Sequence, residues 1–303
     1  MKKTLIIGNF GARNLGDELI LASALAQYPN AVVMTADAVF SQKFLGQDFE
    51  TTEFFPSGFR SFWRFLSDSK FRNTIKLLKE EDFEKIIFPG GGLFAIKTEA
   101  VFLWTIVFLW AKYFLHKPIY FQSAGVDVRM CCFSRFLMKF VFKRADFVSA
   151  RDDKSAKFLS EIRKIKILNV GDAGENFIES KFLEFGILEH KKEKTLCLNV
   201  LAPFDFTKIL NDKRFEDYKK VFVAFSVFDV AFAPEKAEVF FPETMEDLFK
   251  LFLSAEIAIG ERLHFLIVAE LFCGDDNVFI PRQPYSEKVR NFCAEKALPI
   301  FGE

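Results

Sequence analysis

Ala258-Ile259-Gly260-Glu261-Arg262-Leu263-His264 leads from a short apolar run into Phe265-Leu266-Ile267-Val268-Ala269, the pattern of a strand turning into a buried helix. Arg262 and His264 then fall in the first helical turn, where the positive end of the helix dipole disfavours cations. That placement predicts a negative ligand. Arg262 offers a planar fork for phosphate or carboxylate, and His264 is the one histidine of three on a strand-to-helix turn. The amides of the helix start add to the attraction, so residues 260–264 are expected to be the main anion-binding centre.

Three further turns carry polar or glycine-rich chemistry. The first, Gly8-Asn9-Phe10-Gly11-Ala12-Arg13-Asn14-Leu15-Gly16-Asp17-Glu18, joins a strand to a helix, and its glycines permit close backbone approach. Their spacing is not the dinucleotide fingerprint, which argues against a dinucleotide-dependent oxidoreductase. Asp17 either caps the helix or orients a sugar hydroxyl. In Phe88-Pro89-Gly90-Gly91-Gly92-Leu93 the successive amides of the three glycines suit an anion nest. Arg151, in Val148-Ser149-Ala150-Arg151-Asp152-Asp153, ends a buried strand. It either faces a ligand or pairs with Asp152 or Asp153.

These turns need a scaffold of alternating strands and helices. Strands are expected at residues 5–8, 31–35, 85–88, 118–122, 147–150 and 165–170, and helices at 17–27 and 154–162, the latter capped by Asp152 or Asp153. The charge cluster Glu189-His190-Lys191-Lys192-Glu193-Lys194 marks a boundary, giving domains 1–188 and 189–303. Beyond it, strands are expected at 195–201, 221–225, 239–241 and 256–259, with helices at 245–253 and 261–272. The fold class is therefore α/β: two Rossmann-like domains facing a cleft, with ligands at the carboxyl ends of the strands.

Composition sets the outer limits. A chain of 303 residues, 50% apolar and 27% charged, has material for two globular cores. The 42 phenylalanines read as core residues standing in for Leu, Ile and Tyr. Lys plus Arg and Asp plus Glu are equal at 41 each, so no overall field draws the chain to nucleic acid. Cys131, Cys132, Cys197, Cys273 and Cys293 lack zinc spacing and read as reduced core thiols of a cytoplasmic protein. The first apolar run is too short for a signal peptide, and residues 100–111 are too few to span a bilayer. That run is a buried helix or one lying in a membrane interface. Phe59, Phe62, Trp63 and Leu66 recur at helical spacing near Arg60, Arg64, Lys70 and Arg72, as in a basic interfacial helix or one packed on its own domain. No carboxylates or histidines have metal-ligand spacing, so neither metal nor cofactor is expected.

Taken in order, Asn14-Leu15-Gly16-Asp17-Glu18, Gly90-Gly91-Gly92, Ser149-x-Arg151-Asp152, Gly171-Asp172 and Arg262-Leu263-His264 resemble the polysaccharide pyruvyl transferase family over most of the chain. Tyr285-Ser286-Glu287-Lys288-Val289 also looks like the family's Tyr-x-x-Lys-Val. The resemblance implies a fold like the GT-B glycosyltransferases and transfer of a pyruvyl group from phosphoenolpyruvate to a sugar as a ketal. Arg151, Arg262, Leu263 and His264 match its phosphoenolpyruvate-binding positions, with Gly260 in the same turn. On that footing His264 is the general acid, Glu261 or Asp17 deprotonates the sugar hydroxyl, and Lys288 assists phosphate departure. Asn14, Gly16, Gly90, Gly91 and Gly92 would line the acceptor side, in the N-terminal domain, with the donor in the C-terminal one. The acceptor would be a sugar of a cell-surface glycan or lipid-linked oligosaccharide, which fits a cytoplasmic protein in weak peripheral contact with the inner face of the membrane. Departures at 93–97, 121–126 and 171–173 bear on the acceptor. The competing readings are a nucleotide-sugar glycosyltransferase and a non-catalytic glycan-binding relative.

Overall fold

Leu5, Ile6 and Ile7, like Ile86 and Ile87, are wholly buried, as strands covered on both faces must be. In the computed structural model they belong to β1 (Lys3–Ile7) and β4 (Phe83–Phe88), which lie parallel and adjacent. The structure describes residues 3–53, 63, 67–94, 98–126, 130–185, 192–201, 203–282 and 286–301. The chain divides into two compact units: Met1–Ala12, Ile20–Gln42 and Gln47–Asn176 form the first, and Arg13–Leu19, Lys43–Gly46 and Phe177–Glu303 the second. The expected boundary at 188/189 lies outside the described residues.

The first unit carries β1, β2 (Val32–Met34), β3 (Glu50–Thr52), β4, β5 (Gly91–Phe94), β6 (Ile119–Val126) and β7 (Phe147–Ala150). All pairs are parallel, in the order β3-β2-β1-β4-β6-β5, with β7 also on β6. The helices of this half of the chain are α1 (Leu15–Gln27), α2 (Ala38–Leu45), α3 (Ser69–Glu80), α4 (Thr98–Tyr113), α5 (Cys132–Arg144) and α6 (Asp153–Arg163), followed by α7 (Ala173–Phe185). Asp152 starts α6, its side chain accepting from the Ser155 amide at 2.8 Å. Phe88 stacks on Phe121, which tilts against Phe142, so phenylalanine supplies much of the core. Among the described residues, the eleven largest fully buried side chains are all Phe.

The second unit repeats the plan with β8 (Glu193–Asn199), β9 (Lys219–Val223), β10 (Glu238–Phe240), β11 (Ala255–Gly260) and β12 (Val278–Phe279), all parallel in the order β10-β9-β8-β11-β12. Numbered from its own first strand this is the Rossmann order 3-2-1-4-5. Around it stand α8 (Pro203–Leu210), α9 (Met245–Ser254), α10 (Leu263–Cys273) and α11 (Glu287–Glu295). A capping box between Thr244 and Asp247 starts α9.

Several expectations are corrected. Residues 165–170 make only an isolated bridge from Asn169 to Ala150, because the Asn169 side chain bonds Asp153 and the Gly171 amide and turns the chain away. Gly91 and Gly92 open strand β5 rather than extending a loop nest. Cys131 and Cys132 are exposed, so only three of the thiols are in the core. Residues 100–111 fall in α4, with Val101, Thr105, Val107, Phe108 and Ala111 buried, and no helix among the described residues is long and apolar enough to cross a membrane. Phe59, Arg60, Phe62, Arg64 and Leu66 lie outside the described residues; Trp63 is exposed.

Candidate functional site

In the second unit the chain leaves β8 towards β9 on one side and β11 towards β12 on the other, so the gap between β8 and β11 is the topological switch point where open α/β sheets bind ligands. Their carboxyl ends are in register, Gly260 opposite Asn199. A cavity of about 220 Å³ opens there, lined by Leu201, Gly260, Glu261, Arg262, Leu263 and, from the segment before and into α11, Arg282 and Lys288. Gly260 has a packing role as well: a side chain on it would meet the Phe265 ring at 2.3 Å.

Arg262 is the N-cap of α10, one residue before the helix, and not in its first turn as expected. Its guanidinium clasps Asp229 with two nitrogens, Nη2 to Oδ1 and Nε to Oδ2. Asp229 is fully buried and also accepts from the Phe225 and Ser226 amides and from Asn199 Nδ2. The negative partner anticipated for this helix end is thus, first, the protein's own carboxylate. Glu261 Oε1 accepts from Arg282 Nε at 2.9 Å, and its Oε2 from the Leu201 amide at 3.0 Å. Both carboxylates therefore hold cations of the cavity in place. Arg262 and Arg282, each paired with a carboxylate, line the cavity together with Lys288, and the start of α10 adds its dipole.

The turn before α1 reaches the same unit. Arg13–Leu19 groups with it: the Leu15 amide donates to Phe225 O at 2.8 Å, and Asn14 bridges Ser226 in antiparallel fashion. The half-buried imidazole of His264 rests directly on Gly16, where an added Cβ would lie 2.1 Å from Nδ1. Asn14 Nδ2 donates to Asp17 Oδ2 at 2.8 Å, and the Asn14 carbonyl accepts from the Asp17 and Glu18 amides. Asp17 therefore stands in the first turn of α1 and is not its cap.

Arg151 and Gly90, Gly91 and Gly92 belong to the first unit. The Arg151 guanidinium lies over Gly125, where a Cβ would approach Nη2 to 2.5 Å, and sits 3.6 Å from both Asp152 and Asp172. Its side chain is only 10% exposed. Asp153 is engaged elsewhere, with Asn169. Gly171-Asp172 is drawn to the same place, since Ser123 Oγ donates to Gly171 O at 2.5 Å. Ser123 itself has φ +51° within β6, a left-handed conformation at a bulge between β6 and β7.

Of the sequence candidates, the second unit gathers Asn14, Gly16, Asp17, Gly260, Glu261, Arg262, Leu263, His264 and Lys288. Asp229, Asn199 and Arg282 were missed. Asp229 had one available signal, a lone carboxylate among Val227, Phe228, Val230 and Phe232 just after a strand.

Similarity to known proteins follows the same lines. UDP-GlcNAc 2-epimerase from Methanocaldococcus jannaschii superposes with a TM-score of 0.61 at 14% identity, over 99% of this chain and 88% of that one. The Neisseria meningitidis epimerase bound to UDP-GlcNAc gives 0.58 at 10% identity, over 99% and 87%. The S. aureus MnaA–UDP structure gives 0.57 at 14%, over 97% and 87%. At such identities the likeness is one of fold, which is α/β, Rossmann-like and of the GT-B kind. No curated protein matches the chain by sequence. The profile of the polysaccharide pyruvyl transferases matches residues 14–273, from Asn14 before α1 to the end of α10. With both motif-bearing turns inside that match, the chain belongs to the polysaccharide pyruvyl transferase family.

Proposed function

We propose that the protein transfers the pyruvyl group of phosphoenolpyruvate to two hydroxyls of one sugar, in a cell-surface glycan or lipid-linked oligosaccharide, forming a ketal and releasing phosphate. The observation that carries this reading is the meeting of Gly16 with His264, one residue on from Leu263, which lines the cavity with Arg262, Arg282 and Lys288. A donor with two anionic groups suits Lys288 and a helix start beside two arginines that Asp229 and Glu261 hold in place. His264 gives a proton to the methylene carbon, and positive charge builds on the neighbouring carbon as the first sugar oxygen bonds to it. The carbon–oxygen bond to phosphate then breaks, and the second sugar oxygen closes the ketal. Of the two hydroxyl protons, one balances that on the new methyl group and the other leaves with phosphate. The hydroxyl protons pass to Asp17 or Glu261, the first accepting from Asn14 Nδ2 and the second from Arg282 and the Leu201 amide. Asp229 acts as a positioning residue, as does Glu261 towards Arg282.

Calorimetric titration with phosphoenolpyruvate and with nucleotide sugars tests this. Phosphoenolpyruvate binds the wild type, and His264→Ala retains most of that affinity while losing turnover. Arg262→Ala, made together with Asp229→Asn so that no buried charge is stranded, weakens binding at least about tenfold, the equivalent of about 1.4 kcal/mol. Heat from nucleotide sugars alone would select the glycosyltransferase reading, which the UDP complexes of structural neighbours make the natural competitor.

A further inference from the structure

Helix α5, remote in sequence from every residue of the cavity, has two apolar faces. Ser134, Met138, Val141 and Phe142 are buried against the sheet. Phe133 and Phe136, at i and i+3, stand 53% and 64% exposed on the other side, and Leu137 and Phe140, partly buried and packed against the core, continue that row at its edge. A surface helix ordinarily carries one apolar stripe. Alongside the second stripe, Arg135, Lys139 and Lys143 follow at four-residue intervals, all exposed, and Arg144 lies over the Phe140 ring. The helix contains no carboxylate.

α4 extends this face. It begins where α5 begins, Thr98 Oγ1 standing 3.4 Å from Cys131 Sγ, and its first turns expose Phe102 and Leu103. Both helices follow strands of one parallel sheet, so these four apolar side chains gather at the end of the helices that adjoins the strands' carboxyl ends.

We propose that this face docks on an anionic lipid bilayer, Phe133, Phe136, Phe102 and Leu103 entering the interface and Arg135, Lys139 and Lys143 meeting the head groups. Charge decides the occupant. Protein–protein interfaces are depleted in lysine, whereas α5 interleaves large apolar side chains with Lys and Arg and holds no acid, the composition of a helix lying in an anionic interface, with Glu99 in the first turn of α4 the exposed carboxylate beside Phe102 and Leu103. The inference stands whether or not phosphoenolpyruvate is the donor.

Flotation of the intact protein with vesicles tests it. The wild type floats with phosphatidylglycerol–phosphatidylcholine vesicles, floats poorly with phosphatidylcholine alone, and is released by high salt. Lys139→Gln with Lys143→Gln lowers the partition coefficient about 30-fold, two basic contacts' worth. Phe133→Ser with Phe136→Ser lowers it as well, while both variants melt like the wild type because the altered side chains are exposed. Absence of binding to anionic vesicles, equal binding to neutral ones, or variants that bind unchanged would each overturn the proposal. So would a wild-type dimer that Phe136→Ser converts to monomer, since the face would then be a contact between copies.

Discussion

His264 and Gly16 explain one another. The imidazole occupies the space that any side chain at position 16 would need, with only 2.1 Å between Nδ1 and a Cβ there. Gly16→Ala must therefore move the ring, and a displacement of about 1 Å at a reacting group costs on the order of 100-fold in rate. The expected result is a kcat lowered by about that factor with a melting temperature changed by only a few degrees, since alanine is the better helix former at this place in α1. A variant with normal kcat would remove His264 from the mechanism as drawn. Arg262, His264 and Gly16 were legible in the sequence because their types are unusual for a helix start. Asp229 and Arg282 were not, because each matters through a partner brought from another strand: Arg262 for the first, Glu261 for the second.

The start of α5 shows what an element does to a residue. Cys131 caps the helix, its sulfur 3.5 Å from the Ser134 amide. The Ser134 hydroxyl first, then the Thr98 hydroxyl and the Ser134 amide, favour the thiolate and lower the thiol to about 7. Burial has the opposite effect on Cys273 and Cys293, pushing them up to about 12 and about 11. Alkylation of Cys131 by iodoacetamide should therefore rise with pH to a half-maximal rate near 7, and Ser134→Ala should move that midpoint up towards the ordinary thiol range. A wild-type midpoint like that of an unperturbed thiol would contradict the cap. Element reading from sequence worked best where buried β-branched runs met helical spacing, as at β1, β4, β7 and α10. It failed at Gly91-Gly92, which open β5 with Gly91 paired to Ala124 because glycine can join a strand where it usually punctuates one, and at 165–170, where the Asn169 side chain's own hydrogen bonds ended the pairing.

At the scale of the molecule, two parallel Rossmann-like sheets were foreseeable from the alternation of buried runs with helical spacing, and their strand orders were not. The grouping of Arg13–Leu19 with the second unit was not, since it depends on backbone pairing of Asn14 and Leu15 with residues 225–226, far along the chain. That pairing is what sets the first turn of α1 beside His264 and makes one candidate site from two distant motifs. On the function proposed above, this site consumes phosphoenolpyruvate. The direct measurement follows carbon-labelled phosphoenolpyruvate incubated with the protein and glycan or lipid-linked oligosaccharide acceptors, reading label in the sugar and phosphate in solution. Equal amounts of sugar-bound, acid-labile pyruvate and free phosphate are predicted, and both are lost in His264→Ala. Phosphate release without label in any sugar, or transfer only when a nucleotide sugar is supplied, would contradict it.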